Sequence, residues 1–278
     1  MKKIALQNLE MIATEKCNMR CAHCMRGEAT SKTMSDEVID QTFLQTASIT
    51  NLAIGGGEIT LALDTLEKIF TSAVENQVLL DEFGTFVNGT IYDDEFFKLY
   101  DYFEEYVRKG SRLTNQETVG YFAVTIDDFH IAEYKRLGIF EEVLENLKKF
   151  QESKYFYKFK TGYDRKLFRE GYATQLPEEK TVPLRPMKSY ITYINKNPKI
   201  IERDGLCNIG PMICINVNGT ITEGDASFKN QETKYNYGNI LTDQLEDVYL
   251  KKNAEVVPAK KWIKKTNKEI KKYQTYNR

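Results

Sequence analysis

Three cysteines, Cys17, Cys21 and Cys24, stand within a run of eight residues near the start of the chain. They directly follow a short apolar segment, Glu10 to Thr14, which is typical of a β-strand. Three thiolates that converge from one short loop can hold an iron–sulfur cube by three of its corners and leave the fourth iron open. The spacing therefore predicts a strand that ends in a cluster-binding loop.

Zinc is the alternative metal for these cysteines. Structural zinc sites commonly use pairs of cysteines two residues apart, and they need four ligands. Here the gaps are three and two residues, so three thiolates leave a zinc site one ligand short. His23 could in principle complete it, but its side chain would have to enter the same small cluster as Cys21 and Cys24. We therefore interpret His23 as a loop residue.

Composition restricts the class of protein. The chain has 278 residues, 41% of them hydrophobic, which is ordinary for a globular protein with a sizeable core. No segment approaches the roughly 20 apolar residues of a membrane helix, and the first residues do not resemble a signal peptide. The five cysteines are odd in number and clustered, which favours ligand or redox use in a reducing compartment. We expect a cytoplasmic protein.

Apolar runs and helical patterns alternate along the first two thirds of the chain. This alternation predicts an α/β sheet or barrel with parallel strands, whose functional loops leave the carboxyl ends of the strands. Irregular sequence from Tyr163 to Pro186 suggests a connection or lid. Further strands are expected at Leu52–Ile54, Leu79–Val87, Tyr121–Ile126, Tyr155–Lys160 and, as a sixth, Tyr190–Ile194. Helices are expected at about Ser35–Ala47, Asp64–Asn76 and Asp93–Arg108, and one or two helices at about Ile131–Phe150.

The C-x3-C-x2-C spacing directly after a first strand resembles the signature of the radical S-adenosylmethionine (SAM) enzymes. The resemblance implies an α/β partial (β/α)6 TIM-like barrel. It also implies that Cys17, Cys21 and Cys24 ligate one 4Fe–4S cluster, and that SAM chelates the open iron through its amino and carboxylate groups. Gly56-Gly57-Glu58, after the second strand, matches the family's Gly-Gly-Glu segment, which contacts the methionyl amino group. Ile59 stands where the family usually has proline.

Two shorter matches follow in the order that the family shows. Asn88, in the run from Val87 to Thr90, resembles the Thr-Asn-Gly-Thr segment after the third strand. Thr125 and Asp127 resemble a Ser-x-Asp segment at the end of the fourth strand. Such groups commonly meet the ribose or methionyl part of SAM. Each also has an ordinary structural interpretation, because Asn-Gly favours a turn and paired aspartates favour a helix cap.

The last third of the chain resembles the SPASM and Twitch extensions of peptide-modifying radical SAM enzymes, with a hairpin signal at Asn218-Gly219. Gly224 stands where the extension's second cysteine belongs, so only Cys207 and Cys214 remain. Four thiolates are the usual need of a further cluster, so we expect both to be small buried residues of a β-hairpin. The predicted division is 1–195 for the barrel, 196–250 for a small β-hairpin plus helix extension without a full auxiliary cluster site, and 251–278 for a basic helical tail.

The tail has ten lysines and arginines between Lys251 and Arg278 against two glutamates. Solvated faces of a surface helix explain such a run most simply. The alternative is docking on a nucleic acid, an acidic peptide or the chain's own acidic helices, through the apolar residues Trp262, Ile263, Ile270 and Tyr273. Nucleic acid is the less favoured partner, since scattered lysines are a weak signal.

The resemblance implies an enzyme that reductively cleaves SAM to a 5′-deoxyadenosyl radical and abstracts hydrogen from a substrate carbon. The extension favours a ribosomally made peptide, modified by crosslinking, epimerisation or another C–H reaction. An external one-electron donor is then needed. A separate protein, or a different surface of this chain, would have to recognise the leader segment of the peptide. A small metabolite or nucleotide is the rival substrate, and a non-catalytic iron–sulfur or zinc module is the rival class.

Overall fold

The computed structural model describes residues 3–160, 167–185, 187–193, 207–224, 226–252 and 254–276. Of the positions named above, Tyr163, Pro186, Ile194 and Arg278 lie outside these ranges, as does the side chain of Tyr273. Within the ranges, no helix is long and apolar enough to cross a membrane.

Five adjacent parallel strands form one side of the main sheet, in the order of the sequence. They are β1 (Ile4–Thr14), β2 (Thr46–Gly56), β3 (Leu79–Val87), β4 (Gly120–Thr125) and β5 (Phe156–Lys160). The helices between them are α1 (Asp36–Leu44), α2 (Leu63–Glu75), α3 (Asp94–Gly110), α4 (Asp128–Leu137) and α5 (Phe140–Gln151). Right-handed crossovers between neighbouring parallel strands place such helices on one face of the sheet. The predicted α/β class with a parallel sheet is confirmed.

Local sequence explains where these elements begin and what they bury. Ser35 caps α1, because its hydroxyl accepts a hydrogen bond from the backbone N–H of Val38. The aromatic side chains on the buried face of α3 pack into the core. The ring of Phe103 stacks on that of Phe70 with 4.1 Å between the ring centres, and it contacts the Phe83 ring edge-on at 4.8 Å. These contacts join α2, α3 and β3, so the helical layer is fixed to the sheet by rings.

The chain after β5 extends the sheet on the other side of β1. A short separate sheet of β6 (Leu167–Phe168) and β7 (Thr181–Val182) comes first. Then β8 (Tyr190–Tyr193) pairs antiparallel with β9 (Cys207–Gly210), and both β9 and β10 (Ile213–Ile215) lie parallel to β1. The predicted sixth strand is therefore present as β8. The sequence predicted no partner for it, and in the structure it pairs with β9 and with the later strand Glu255–Val256.

The predicted hairpin after residue 200 is present. It joins β10 to β11 (Thr220–Thr222), and Gly219 in its turn has a φ of +83°. Cys214 lies on β10 and Cys207 on β9, outside the hairpin, and both side chains are buried. The later elements are α6 (Phe228–Thr233), β12 (Gly238–Asn239), α7 (Leu245–Lys251), β13 (Glu255–Val256) and α8 (Ala259–Tyr276).

The basic tail forms α8 and packs against the chain's own sheet. Trp262 is buried with Tyr190 and Val257, and its indole N–H donates to the carbonyl of Tyr190 at 2.9 Å. Most of the lysines on α8, by contrast, are exposed. Its apolar face therefore docks on β8, and its basic face is solvated.

We expect Phe103→Ala to lower the free energy of unfolding by about 3–5 kcal/mol, because it removes a fully buried ring that joins α2, α3 and β3. The neighbouring Tyr102→Ala is the matched control. Tyr102 is 46% exposed, so its removal should change stability by no more than about 0.5 kcal/mol. Urea unfolding followed by circular dichroism measures both, and equal losses would contradict this account of the core.

Candidate active site

The three cysteines lie in a loop between β1 and α1 that returns to the end of β1. The backbone N–H of Met34 donates to the carbonyl of Ala13 at 2.8 Å, and that of Glu15 donates to Lys32 at 2.9 Å. The buried carboxylate of Glu15 accepts from the Thr30 hydroxyl at 2.7 Å. Both ends of the loop are thus fixed, which limits the positions that the cysteines can take.

The cysteine thiols lie close enough to one another to affect each other's ionisation. Burial raises the pKa of Cys17 to about 11, with a smaller contribution from Cys24. Burial and the charges of Cys24 and Cys17 raise the pKa of Cys21 further. Metal binding must therefore displace protons from these thiols. Three sulfur donors on one loop fit a 4Fe–4S cluster with one open iron.

Gly56 and Gly57 bring the end of β2 against the start of the cysteine loop. The N–H of Gly57 donates to the carbonyl of Thr14 at 2.8 Å, and the N–H of Glu58 donates to Lys16 at 2.7 Å. A Cβ added at Gly56 would lie 2.1 Å from the Thr14 oxygen, and one at Gly57 would lie 2.0 Å from the Lys16 oxygen. Backbone contacts this close admit only glycine.

Glu58 is a fully buried carboxylate that joins the ends of β2 and β3. Its Oε1 accepts from the backbone N–H and the hydroxyl of Thr60, at 3.2 and 2.8 Å, and its Oε2 accepts from the N–H of Asn88 at 2.6 Å. Burial raises the pKa of Glu58, and these hydrogen bonds oppose the rise. A buried carboxylate of this kind is stabilised further by a bound cation, such as an ammonium group.

Asn88 connects the end of β3 to the cysteine loop. Its amide donates to the side-chain oxygen of Asn18 at 3.0 Å, and Asn18 in turn donates to the Thr90 hydroxyl at 2.8 Å. The backbone carbonyl of Asn88 accepts from the Tyr134 hydroxyl at 2.7 Å. Sequence reasoning missed Asn18; its position directly after Cys17 was the available signal.

The Asp127 carboxylate contacts the imidazole rings of both histidines in the sequence. Its Oδ1 lies 2.8 Å from Nδ1 of His130 and accepts from the His130 backbone N–H at 3.0 Å, so it also caps α4. Its Oδ2 lies 3.1 Å from Nε2 of His23. Burial alone would raise the pKa of Asp127, but the hydrogen bonds to His130 and His23 hold it well below its usual range.

His23 lies in the cysteine loop, as interpreted from the sequence, and its ring also packs against α4. Its ring stacks on Phe129 at 4.5 Å, and its Nδ1 is buried and has no hydrogen-bond partner among the described residues. Buried polar atoms usually have a partner, so this nitrogen can bind a ligand or an ordered water. Donor atoms of Cys21, His23 and His130 also lie within 4.8 Å of one another, although each histidine already has one nitrogen on Asp127. The rarity of histidine in the chain could have drawn attention to this pair.

Helix α4 also contacts the cysteine loop, in addition to β1 and the glycines after β2. The Glu133 carboxylate accepts from the backbone N–H of Arg20 at 2.7 Å and is itself bound by the Arg136 guanidinium at 2.8 Å. Hydrogen bonds from Arg136 outweigh burial and lower the pKa of Glu133. Sequence reasoning missed this contact, which joins residues more than a hundred positions apart.

All nine residues singled out from the sequence line one cavity of about 310 Å³ at the carboxyl ends of β1 to β4. This volume is in the range of small-molecule sites. Glu10 and Arg26 form an ion pair of 2.8 Å in its wall, and sequence reasoning missed both. The nine residues are Cys17, Cys21, Cys24, Gly56, Gly57, Glu58, Asn88, Thr125 and Asp127.

We expect Gly57→Ala to lose most of the iron that the wild-type protein takes up on anaerobic reconstitution. The new Cβ must push the Lys16 carbonyl away and so displace the loop that carries Cys17. Gly110→Ala is the control, since its Cβ would meet only the end of the Leu79 side chain, at 3.2 Å. Colorimetric iron analysis checks both, and full iron content in Gly57→Ala would refute the constraint.

The fold is similar to that of solved structures. The structure of native anSMEcpe with bound AdoMet and Cp18Cys peptide shares 14% identity, with a TM-score of 0.52 over 88% of this chain and 80% of that chain. Its counterpart with Kp18Cys peptide has a TM-score of 0.50, with the same identity and coverage. SuiB of Streptococcus suis bound to precursor peptide SuiA shares 11% identity over 87% of this chain and 64% of that chain, with a TM-score of 0.39.

No curated protein matches the chain. A family model does: that of the radical SAM superfamily matches residues 11–163, which is more than half of the sequence. The matched region runs from β1 to just beyond β5 and contains all nine residues that line the cavity. The chain therefore belongs to the radical SAM superfamily, and its cofactors are a 4Fe–4S cluster and SAM.

Proposed function

We propose that this radical SAM enzyme abstracts a hydrogen atom from a carbon of a ribosomally made peptide, and so crosslinks, epimerises or otherwise modifies it. The convergence of all nine motif residues on one cavity supports the proposal most strongly. When bound, the cluster and SAM supply a one-electron cleavage whose product is the 5′-deoxyadenosyl radical; an external donor supplies the electron. The protein contributes binding, orientation and exclusion of water.

In this proposal Cys17, Cys21 and Cys24 hold one cluster. The loop that carries them is fixed by β1, by the glycines after β2 and by Glu133 of α4, and the three cysteines line the cavity. Preorganised ligands reduce the entropy that cofactor binding must offset. Cys207 and Cys214 have no role in the cluster.

Gly56, Gly57 and Glu58 seat the methionyl end of SAM, with the Glu58 carboxylate near its ammonium group. Asn88 and Thr125 line the part of the cavity that takes the ribose or methionyl carbons. Asp127 acts through His23, because both of its carboxylate oxygens already face histidine nitrogens. The Nδ1 of His23, which has no partner in the part of the chain that the structure describes, is then available to the cofactor.

A peptide substrate is supported by the shape of the fold and by its neighbours. The anSMEcpe structures, which share the fold, hold AdoMet together with a peptide. Phe86 and Lys160 line both the cavity around the cysteines and a second one of about 540 Å³.

We expect Cys21→Ser to abolish 5′-deoxyadenosine formation from SAM and dithionite, because the cluster loses one of three ligands. Cys214→Ala is the control and should keep both this activity and about four irons per chain, the content of a single cluster. Liquid chromatography and iron analysis measure the two quantities. Full SAM cleavage by Cys21→Ser, or about eight irons in the wild type, would contradict the assignment.

We expect Glu58→Ala to weaken SAM binding at least tenfold, since it removes the carboxylate assigned to the ammonium group. Glu75→Ala, on α2 outside the cavity, should bind SAM like the wild type. Equilibrium dialysis of radiolabelled SAM with reconstituted protein measures both. Unchanged affinity in Glu58→Ala would remove this residue from the SAM site.

The peptide assignment is tested with short peptides encoded next to the gene. After anaerobic incubation with enzyme, SAM and reductant in deuterated water, mass spectrometry should show the loss of two hydrogens for a crosslink or the gain of one deuterium for an epimerisation. Modification of a nucleotide or small metabolite, with every peptide unchanged, would contradict the proposal.

A further inference from the structure

The cysteine loop and α4 together form a group of metal ligands that differs from the three cysteines. One donor atom from each of Cys21, His23 and His130 lies within 4.8 Å of the other two. Among the residues that the structure describes, these three are the one group of this size that could hold a single metal ion. Cysteine and histidine are the ligands that zinc prefers. We call these residues the Cys-His-His group.

The Asp127 carboxylate orients both histidines of the Cys-His-His group. Its Oδ1 lies 2.8 Å from Nδ1 of His130, and its Oδ2 lies 3.1 Å from Nε2 of His23. An ionised carboxylate only accepts hydrogen bonds, so each of these nitrogens carries a proton and the opposite nitrogen of each neutral ring keeps a lone pair. A carboxylate placed behind a histidine in this way is the common second partner of a metal-binding imidazole.

The nitrogen that His23 offers to a metal ion is the one opposite Asp127. This atom, Nδ1, is buried and has no hydrogen-bond partner among the described residues. The ring stacks on Phe129 with 4.5 Å between the ring centres and 13° between the planes, which fixes the plane of the imidazole. A metal ion bound at Nδ1 would satisfy the buried nitrogen without moving the ring away from Asp127 or Phe129.

The charges of the surrounding groups suit a divalent cation. Cys21 and His130 are each 8% exposed, and the His23 side chain is 12% exposed, so an ion here is largely removed from water. Metal binding displaces the proton of Cys21, which leaves one negative charge on the sulfur and one on Asp127. Two negative charges balance a divalent ion, which avoids the cost of an uncompensated buried charge.

The three ligands need only a small shift to close on one ion. Zinc bonds of about 2.3 Å to sulfur and about 2.0 Å to nitrogen place tetrahedral ligands about 3.5 Å apart. From separations of up to 4.8 Å, each side chain therefore moves by about 1 Å or less. Cys21 and His23 belong to one loop, so small changes of their side-chain torsions supply this shift. A water molecule from the adjoining cavity completes the four ligands.

We propose that Cys21, His23 and His130 bind one zinc ion in the protein before its cluster is assembled, with Asp127 as the carboxylate that orients both histidines. Cys21 is also a proposed cluster ligand, so zinc at this site and the cluster exclude each other. This exclusion rests on the proposed function, whereas zinc binding itself does not. Zinc in the Cys-His-His group is then an inhibitor of cluster assembly.

Anaerobic titration of the metal-free protein with cobalt(II) tests the site, because tetrahedral cobalt absorbs visible light and its bond to a thiolate absorbs in the near ultraviolet. Wild-type protein should bind one cobalt per chain with both bands, and one equivalent of zinc should remove them. His130→Ala and His23→Ala should each weaken zinc binding about tenfold or more, since each removes a ligand. Circular dichroism confirms that the variants fold. The titration contains no iron or SAM, so a failure of the cluster assignment leaves its result unaffected.

Cys17→Ser is the matched control, because Cys17 lies on the same loop but outside the Cys-His-His group. It should bind zinc like the wild type, whereas Cys21→Ser should lose the near-ultraviolet band. Three results would each overturn the proposal: no cobalt bands in the wild type, unchanged zinc affinity in both histidine variants, or a loss of zinc affinity in Cys17→Ser as large as that in Cys21→Ser.

The exclusion is measured separately, by anaerobic reconstitution with iron and sulfide. One equivalent of zinc added beforehand should remove most of the iron uptake of the wild type, while His130→Ala should take up the same amount of iron with and without zinc. Elemental mass spectrometry counts both metals in each sample. Wild-type protein that holds one zinc and about four irons at the same time would contradict the exclusion.

Discussion

The candidate site depends on two backbone hydrogen bonds that tie the end of β2 to the start of the cysteine loop. Gly57 and Glu58 donate to Thr14 and Lys16, and no side chain larger than hydrogen fits at positions 56 and 57. The same short segment thus fixes the loop that carries Cys17 and places the Glu58 carboxylate in the cavity wall. The Gly-Gly-Glu motif is a packing constraint as well as a candidate ligand contact.

Buried charges around the cavity are each held by polar partners. Glu58 accepts from Thr60 and Asn88, and Asp127 faces both histidines. Burying a charge without such partners is costly, so these contacts define one arrangement of the loops rather than several. Burial raises the pKa of Glu58 in spite of its hydrogen bonds, whereas the hydrogen bonds to His130 and His23 hold the pKa of Asp127 below its usual range.

Local pattern predicted the parallel strands, their helices and the position of every motif at a strand end. Periodicity and caps such as Ser35 act within a few residues, so a sequence reveals them directly. The sequence did not predict contacts between distant segments. His23 contacts Asp127, and the Arg20 backbone donates to Glu133, but these residues come together only in the folded chain. The pairing of the sixth strand with β9 was not predicted for the same reason, because it depends on tertiary packing.

The central claim is that one iron of a single cluster remains open and binds SAM in the cavity between the cysteine loop and Gly56-Gly57-Glu58. Electron paramagnetic resonance of the reduced, reconstituted protein tests it most directly, with spectra taken before and after addition of SAM. The account predicts a signal from one reduced cluster whose g-values shift when SAM is present. A spectrum that stays the same at saturating SAM would contradict it.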